Sequence, residues 1–137
     1  MTDVAYIALG SNIGNRELAL SKAVSAIGAI RDTSLVAATG VEETEPVGPV
    51  TQGKYLNQMV MVSTSLSPRS LLAALHRIER AAGRVRSVRW GPRVLDLDIV
   101  MMHDKSYADE VLVIPHPELP NRDFWQRLLT ELREKTE

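Results

Sequence analysis

The sequence has no cysteine, which excludes disulfide bonds, thiolate metal sites and a cysteine nucleophile. It also has no excess of charge of one sign, because 16 basic and 17 acidic residues give a formal net charge of -1. A protein with so balanced a charge is not expected to bind nucleic acid or a membrane surface through its overall electrostatics. Any site for an anion must therefore be local.

Long hydrophobic runs are missing as well. No apolar stretch approaches the roughly 18 residues of a membrane span, and the N-terminus lacks the basic and apolar regions of a signal peptide. We therefore expect a cytoplasmic protein. The 7 prolines and 8 glycines are too few for a disordered or fibrous chain. A chain of 137 residues, 45% of them hydrophobic, is expected to fold as one domain, residues 1–137.

The hydrophobic pattern predicts strands and helices in the order strand, helix, strand, strand, helix, strand. These segments are residues 4–9, 16–30, 34–44, 56–65, 68–82 and 94–102. Asn15 and Ser67 are in place to cap the two helices, and Gly83 is in place to end the second one. A short strand at residues 111–114 and a helix at residues 121–133 follow as a C-terminal extension.

This order matches the ferredoxin-like βαββαβ pattern, an α+β sandwich with a mainly antiparallel four-stranded sheet. In that topology the first two strands end, and the last two begin, at the same edge of the domain. Three irregular segments, residues 10–15, 45–55 and 83–93, are therefore expected to meet there. Loops of about 11 residues are longer than most connections in a compact domain, and such loops often carry function.

Two carboxylates interrupt the last predicted strand of the sheet. Side chains alternate along a strand, so Asp96 and Asp98 share one face, away from the helices, while Leu97 and Ile99 share the other. Neighbours on one face lie roughly 7 Å apart, a separation at which two carboxylates can hold two Mg²⁺ ions. Taken alone, such a pair is more often part of the solvated face of an amphipathic strand.

Four arginines precede the carboxylates without any acid between them, namely Arg84, Arg86, Arg89 and Arg93. A guanidinium group can donate two parallel hydrogen bonds to two oxygens of a phosphate. Together with carboxylates that can bind a metal, they supply the positioning and charge stabilisation that phosphoryl transfer needs. A solvated basic loop is the simpler alternative, and these residues alone do not decide between the two.

Half of the aromatic residues lie in or beside irregular segments, namely Tyr55, Trp90 and Phe124. A flat heterocycle could stack on such rings while Asn57 forms a hydrogen bond to its edge. The alternative is that the rings only pin the loops. His116 lies between two prolines, where it could donate to a phosphate or serve as a structural hydrogen-bonding group.

Four segments of the chain together resemble a known family, 6-hydroxymethyl-7,8-dihydropterin pyrophosphokinase of folate biosynthesis. They are IALGSNIGNR, TEPVGPVTQGKYLNQMV, RIERAAGRVRSVRWGPRVLDLDIV and IPHPELPNRDF. The resemblance runs in order from Tyr6 to Phe124, and the central string W-G-P-R-x-L-D-L-D-I is highly specific. It implies an Mg²⁺-dependent enzyme that transfers pyrophosphate from ATP to the hydroxymethyl group of the pterin and releases AMP.

The resemblance also implies roles for single residues. Asp96 and Asp98 would bind two Mg²⁺ ions, with Asp98 also near the attacking hydroxyl, and Arg84 and Arg93 would stabilise charge that develops on the phosphates. The residues implied to contact ATP are His76, Arg84, Arg86, Trp90, Arg93, Ile99, His116 and Arg122. The residues implied to contact the pterin are Thr44, Pro46, Val47, Tyr55, Asn57, Asp98 and Phe124, with Tyr55 and Phe124 on opposite faces of the ring.

Two other functions are weighed against this one. A ligand-binding module without catalysis would use the same fold, and a nucleotidyltransferase would attack the α-phosphate and release pyrophosphate instead of AMP. We expect small-molecule substrates, no nucleic-acid or membrane partner, and a monomer, since no exposed apolar stripe is evident in the sequence.

Overall fold

A computed structural model describes residues 2–46, 48–49, 51–83 and 94–137. Their helices and strands are β1 (Asp3–Ser11), α1 (Arg16–Gly28), β2 (Thr33–Ala38), β3 (Glu42–Thr44), β4 (Tyr55–Thr64), α2 (Pro68–Ala81), β5 (Asp96–Met102), β6 (Tyr107–Ala108), β7 (Val113–Ile114) and α3 (Asp123–Thr136). A 3₁₀ turn, Leu119–Asn121, precedes α3. Within these ranges, no helix combines the length and the apolar composition needed to cross a membrane.

The main sheet has the strand order β2-β4-β1-β5, and β3 pairs with β4. All the pairings described in it are antiparallel. Strands β1 and β2 are both antiparallel to β4 and hence parallel to each other. Strands β4 and β5 are likewise parallel, because both are antiparallel to β1. The α+β prediction is confirmed, and the order is that of a ferredoxin-like sandwich.

The helix boundaries follow from local chemistry. The Asn15 Oδ1 accepts the Leu18 N–H at 3.1 Å, and the Ser67 Oγ accepts the Ser70 N–H at 3.2 Å. Both caps satisfy a backbone N–H that has no partner inside its helix. Gly83 follows α2 with a φ of 87°, a left-handed conformation that glycine adopts without strain.

The second predicted strand, residues 34–44, is interrupted and forms β2 and β3. Its register passes from residue 38 against 60 to residue 42 against 57, so residues 39–41 lie opposite residues 58 and 59. The Thr39 N–H donates to the Met59 carbonyl at 2.9 Å, and the Thr39 Oγ1 accepts the Met59 N–H at 3.0 Å. The Thr39 hydroxyl thus takes the place of a backbone acceptor in the sheet. The prediction of one continuous strand at residues 34–44 is therefore wrong.

Both faces of the sheet are covered. One face packs against α1 and α2, and its buried side chains include Ile7, Leu9, Leu20, Ile27, Leu71, Leu75, Leu97 and Ile99. The other face packs against α3, through Tyr6, Ala8, Met59, Val100, Trp125, Leu128, Leu129 and Leu132. Burying a side chain of this size contributes about 1.5–3 kcal/mol. Helix α3 therefore covers the sheet face that was expected to lie away from the helices.

A small hairpin, β6–β7, lies beside the main sheet instead of extending it. It is attached to β5 by the His116 N–H, which donates to the Val100 carbonyl at 2.8 Å. Asp109 joins the hairpin to α2, since it accepts hydrogen bonds from the Tyr107 hydroxyl and from Arg69 of α2, each at 2.6 Å. These bonds, that of Tyr107 above all, hold the pKa of Asp109 well below its usual range.

Candidate active site

One end of the main sheet brings three strands together. Gly10, near the end of β1, lies opposite Asn57 of β4 on one side and Asp96 of β5 on the other. Directly opposed residues share a face of the sheet. The predicted meeting of the loops at one edge is therefore confirmed for the segments that end β1 and begin β4. Residues 84–93 lie outside the described residues.

Asp96 and Asp98 lie on the face of the sheet that α3 covers. Their partners on β1 are Gly10 and Ala8, two of the smallest residues, and Ala8 belongs to the cluster beneath α3. Leu97, between them, is buried on the opposite face. The predicted alternation along this strand is confirmed. The strand geometry thus places the two carboxylates side by side, next to the small residues Gly10 and Ala8 of β1.

Among the described residues, His116 lies beside Asp98. The His116 Nε2 lies 3.7 Å from the Asp98 Oδ1, and the His116 Nδ1 accepts the Glu118 N–H at 3.0 Å. Burial lowers the pKa of His116, and the charge of Asp98 only partly opposes that effect. A neutral ring with an accepting Nδ1 carries its hydrogen on Nε2. His116 therefore directs an N–H donor into the space beside Asp98.

Trp125 holds three of the predicted site residues in place. The guanidinium of Arg122 lies 4.4 Å from the centre of the indole. The rings of His116 and Phe124 meet it edge to face, with centroids 5.0 and 6.2 Å away. Such contacts have the favourable geometry of aromatic and cation–π pairs. Trp125 was not among the residues predicted for the site, although its place directly after Phe124 was a usable signal.

Asn57 is buried and its side chain has a fixed orientation. Its Nδ2 donates to the Thr44 Oγ1 at 2.7 Å and to the Glu42 carbonyl at 3.3 Å. A methyl group on Gly10 would lie 3.3 Å from the Tyr55 Cδ1 and 3.6 Å from the Asn57 Oδ1. Glycine at position 10 thus leaves room for the tyrosine ring to rest against β1. Tyr55, Asn57 and Thr44, three residues predicted to contact one ligand, are brought together here.

The segment that leads into β4 is anchored to the end of β1. The Asn12 Nδ2 donates to the Gln52 Oε1 at 2.6 Å and to the Gly53 carbonyl at 3.1 Å. One turn further on, the Arg16 Nη1 donates to the Lys54 carbonyl at 2.9 Å. These bonds fix the backbone just before Tyr55. Sequence reasoning missed both anchors, since their partners lie about 40 residues away along the chain.

A cleft of about 500 Å³ lies beside β5. Five of the predicted site residues line it, namely His76, Asp96, Asp98, Ile99 and His116. Its volume is in the usual range for small-molecule sites. Pro46 lies in the loop after β3, half-buried. Five further predicted residues, Val47, Arg84, Arg86, Trp90 and Arg93, lie outside the described residues.

The carboxylate pair fits a hard cation that completes its coordination from elsewhere. Within the described ranges there is no group of three or more His, Cys, Asp or Glu side chains placed to hold a metal ion. Mg²⁺ does not need such a group, because it usually takes one or two carboxylates and fills its shell with water and phosphate oxygens. Asp96 and Asp98 thus suit Mg²⁺ that arrives with a polyphosphate better than a resident zinc ion.

An α+β sandwich with paired aspartates, an imidazole N–H donor and a stacked arginine at one end of its sheet has the parts of a phosphotransferase site. Comparison with known proteins gives the particular family. Residues 6–134 match the family model described as 7,8-dihydro-6-hydroxymethylpterin-pyrophosphokinase (HPPK). The chain belongs to this family.

Its relatives include enzymes named 2-amino-4-hydroxy-6-hydroxymethyldihydropteridine pyrophosphokinase. The one from Bacillus subtilis is 41% identical over 137 residues, which span 100% of this chain and 82% of that protein. The one from Haemophilus influenzae is 43% identical over 120 residues, 88% of this chain and 75% of that protein. The chain also matches the bifunctional protein FolKE of Lactococcus lactis, with 37% identity over 95% of this chain and 37% of that protein.

Proposed function

We propose that this protein transfers pyrophosphate from ATP to 6-hydroxymethyl-7,8-dihydropterin, giving the pterin diphosphate and AMP, as a step of folate biosynthesis. Membership of the HPPK family and the names of the relatives support this activity. The structural observation that carries it is the pair Asp96 and Asp98 on one face of β5. The pair lines the same cleft as His76 and His116 and is separated from Asn57 by the single strand β1.

The aspartate side of the site would bind ATP. Asp96 and Asp98 would hold two Mg²⁺ ions, which when bound supply positive charge that neutralises the phosphates and orients them for displacement. The N–H donor of His116 is aimed at the space beside Asp98, where a phosphate oxygen could accept it. His76 and Ile99 line the same cleft, and Arg122 lies on Trp125 nearby.

The arginine-rich segment would complete the phosphate site. Arg84 and Arg93 are proposed to stabilise the charge that develops during transfer, and Arg86 and Trp90 to close over ATP. Both roles follow from the family resemblance and from the match of guanidinium groups to phosphate oxygens. Closure of this kind would keep water from competing with the pterin hydroxyl.

The Asn57 side of the site would bind the pterin. Asn57 presents a fixed amide to the edge of a flat heterocycle, and Tyr55 and Phe124 would stack on its two faces. Thr44 already accepts a hydrogen bond from Asn57 and would line the pocket together with Pro46 and Val47. The hydroxymethyl group would then point across β1 toward Asp98.

The remaining properties are proposed on the sequence alone. The substrates would be the two small molecules ATP and the pterin, with no nucleic-acid or membrane partner. The chain would act as a monomer of one domain, residues 1–137, in the cytoplasm.

Phosphorus NMR of the protein with ATP, Mg²⁺ and the pterin tests the reaction. AMP and a pterin diphosphate should appear together, and only when the pterin is present. Release of pyrophosphate instead of AMP would identify a nucleotidyltransferase. Folded protein that binds both compounds without consuming ATP would be a binding module, and either result would overturn the proposal.

A further inference from the structure

The carboxylate of Glu79 is an unusual feature of α2. Glu79 lies in the last turns of that helix, yet only 3% of it is exposed. Ionised carboxylates are seldom fully buried unless they are hydrogen-bonded, because burial removes their hydration. The Glu79 Oε2 accepts the backbone N–H of Leu97 at 2.8 Å. A helix side chain thus reaches across to the backbone of the neighbouring strand.

The position of this hydrogen bond is significant for the site. Leu97 is the residue between Asp96 and Asp98, so the bond holds the stretch of backbone from which both aspartate side chains project. Strand β5 is at the edge of the main sheet and pairs there with β1, as far as the structure describes it. The N–H groups of an edge strand that point away from its neighbour have no ladder partner. Glu79 supplies the acceptor that a further strand would otherwise supply.

We infer that Glu79 is a positioning residue for the metal-binding aspartates, acting through the backbone N–H of Leu97. The Leu97 side chain is buried in the core beneath α1 and α2, and Glu79 fixes the N–H of the same residue. The backbone between the two carboxylates is therefore held at two points. This inference rests on the proposed function, because Glu79 can position metal ligands only if Asp96 and Asp98 bind Mg²⁺ with ATP.

A direct metal-binding role does not explain the geometry. Glu79 lines the same cleft as the two aspartates, but only 3% of it is exposed. Its Oε2 is committed to the backbone of Leu97. Glu79 therefore acts on the spacing and direction of the other two carboxylates.

Two substitutions separate the effect of the length of the Glu79 side chain from the effect of its charge. Glu79→Gln keeps an acceptor oxygen at the same distance along the side chain and removes the charge. Glu79→Asp keeps the charge and withdraws the oxygen by one methylene group. Glu79→Ala removes both, and Glu134→Ala, at an exposed position of α3, is the control for loss of a helical glutamate.

The first measurement is calorimetric titration of Mg²⁺ in the presence of an ATP analogue that cannot react. Loss of a group that orients metal ligands typically weakens metal binding about 10–100-fold. We expect that loss for Glu79→Asp and Glu79→Ala, near-normal binding for Glu79→Gln, and no change for Glu134→Ala. Weaker binding by Glu79→Gln than by Glu79→Asp would overturn the inference, because charge rather than reach would then be the cause.

The second measurement is amide hydrogen exchange at Leu97, followed by NMR, which does not depend on turnover. Exchange at Leu97 should become faster in Glu79→Asp while the amides of the central strand β1 stay protected. Unchanged exchange at Leu97 would contradict the role of Glu79. If Glu79→Ala does not fold, the Gln and Asp variants still decide the question. If the wild-type protein produces no AMP, the proposed function fails, whereas the exchange result still reports on Glu79.

Discussion

The two sides of the site are built in different ways. On the Asn57 side, side chains already hold one another: Asn57 is only 6% exposed and is bonded to Thr44, and Asn12 anchors the approach to Tyr55. On the aspartate side, the Asp98 side chain is 40% exposed and its described contact is His116 at 3.7 Å. The first side is held by its own hydrogen bonds, whereas the second presents charge that, under the proposed function, cations and phosphates would complete. The predictions below test this difference, starting with the largest expected effect.

Asp98→Asn should abolish the activity and leave the fold intact. Metal ions stabilise the transition state of such reactions by several kcal/mol, so loss of a ligand should lower kcat by about 10³-fold or more. The thermal midpoint should change little, because the side chain is half-exposed. Steady-state kinetics and circular dichroism measure both. A variant with substantial turnover would remove Asp98 from the proposed metal site.

Asn57→Ala should impair one side of the site selectively. Removing a buried hydrogen-bonding group costs about 1–3 kcal/mol, which corresponds to a loss of pterin affinity of about 5–150-fold. ATP affinity should stay near that of the wild type. Titration calorimetry with each ligand measures the two affinities.

Thr44→Val tests the same side of the site as Asn57→Ala does. It removes the Oγ1 that orients the Asn57 amide and should weaken pterin binding less than Asn57→Ala does. An equal loss of affinity for ATP and pterin in Asn57→Ala would contradict the division of the site into two sides.

Gly10→Ala should disturb the point where the two sides meet. The new methyl group would lie 3.3 Å from the Tyr55 Cδ1, so the ring must shift at a cost of about 1–3 kcal/mol, which is typical of overpacking. We expect weaker pterin binding and a lower thermal midpoint. Gly40→Ala is the matched control, because a methyl group there meets no described atom within 4 Å. Equal effects of Gly10→Ala and Gly40→Ala would show that contact between the new methyl group and Tyr55 is not the cause.

Asp109→Asn should give the smallest effect, which is measured as a change in stability. The hydrogen bonds of Asp109 depress its pKa in the folded state below the ordinary value of 3.8. Its contribution to stability is therefore complete above about pH 4 and is lost as the pH falls further toward the folded-state pKa. Urea unfolding should show the variant to be less stable than the wild type at pH 7, and the difference should shrink at pH 3. A stability difference between wild type and variant that grows as the pH falls would contradict this pH dependence.

Local chemistry accounts for what the sequence could predict. The helix caps at Asn15 and Ser67, and the alternation of Asp96 and Asp98 with Leu97, depend on neighbours within a few residues. The order of elements then gave the ferredoxin-like topology and the shared edge of the loops.

Features that depend on distant partners were not predictable in the same way. The break at Thr39 depends on its pairing with Met59 across the sheet. The anchoring of residues 52 and 53 by Asn12 joins segments about 40 residues apart. The Leu97 N–H that Glu79 accepts is distant in the sequence, and only the arrival of β5 beside α2 makes Glu79 a buried acceptor.

The most direct test of the difference between the two sides is the number of Mn²⁺ ions, used in place of Mg²⁺, that bind with an unreactive ATP analogue. Electron paramagnetic resonance can count the bound ions in the wild type, Asp98→Asn and Asn57→Ala. We expect two bound ions in the wild type and in Asn57→Ala, and fewer in Asp98→Asn. Two ions bound with undiminished affinity in Asp98→Asn would contradict the account, because the aspartates on β5 would then not be the metal site.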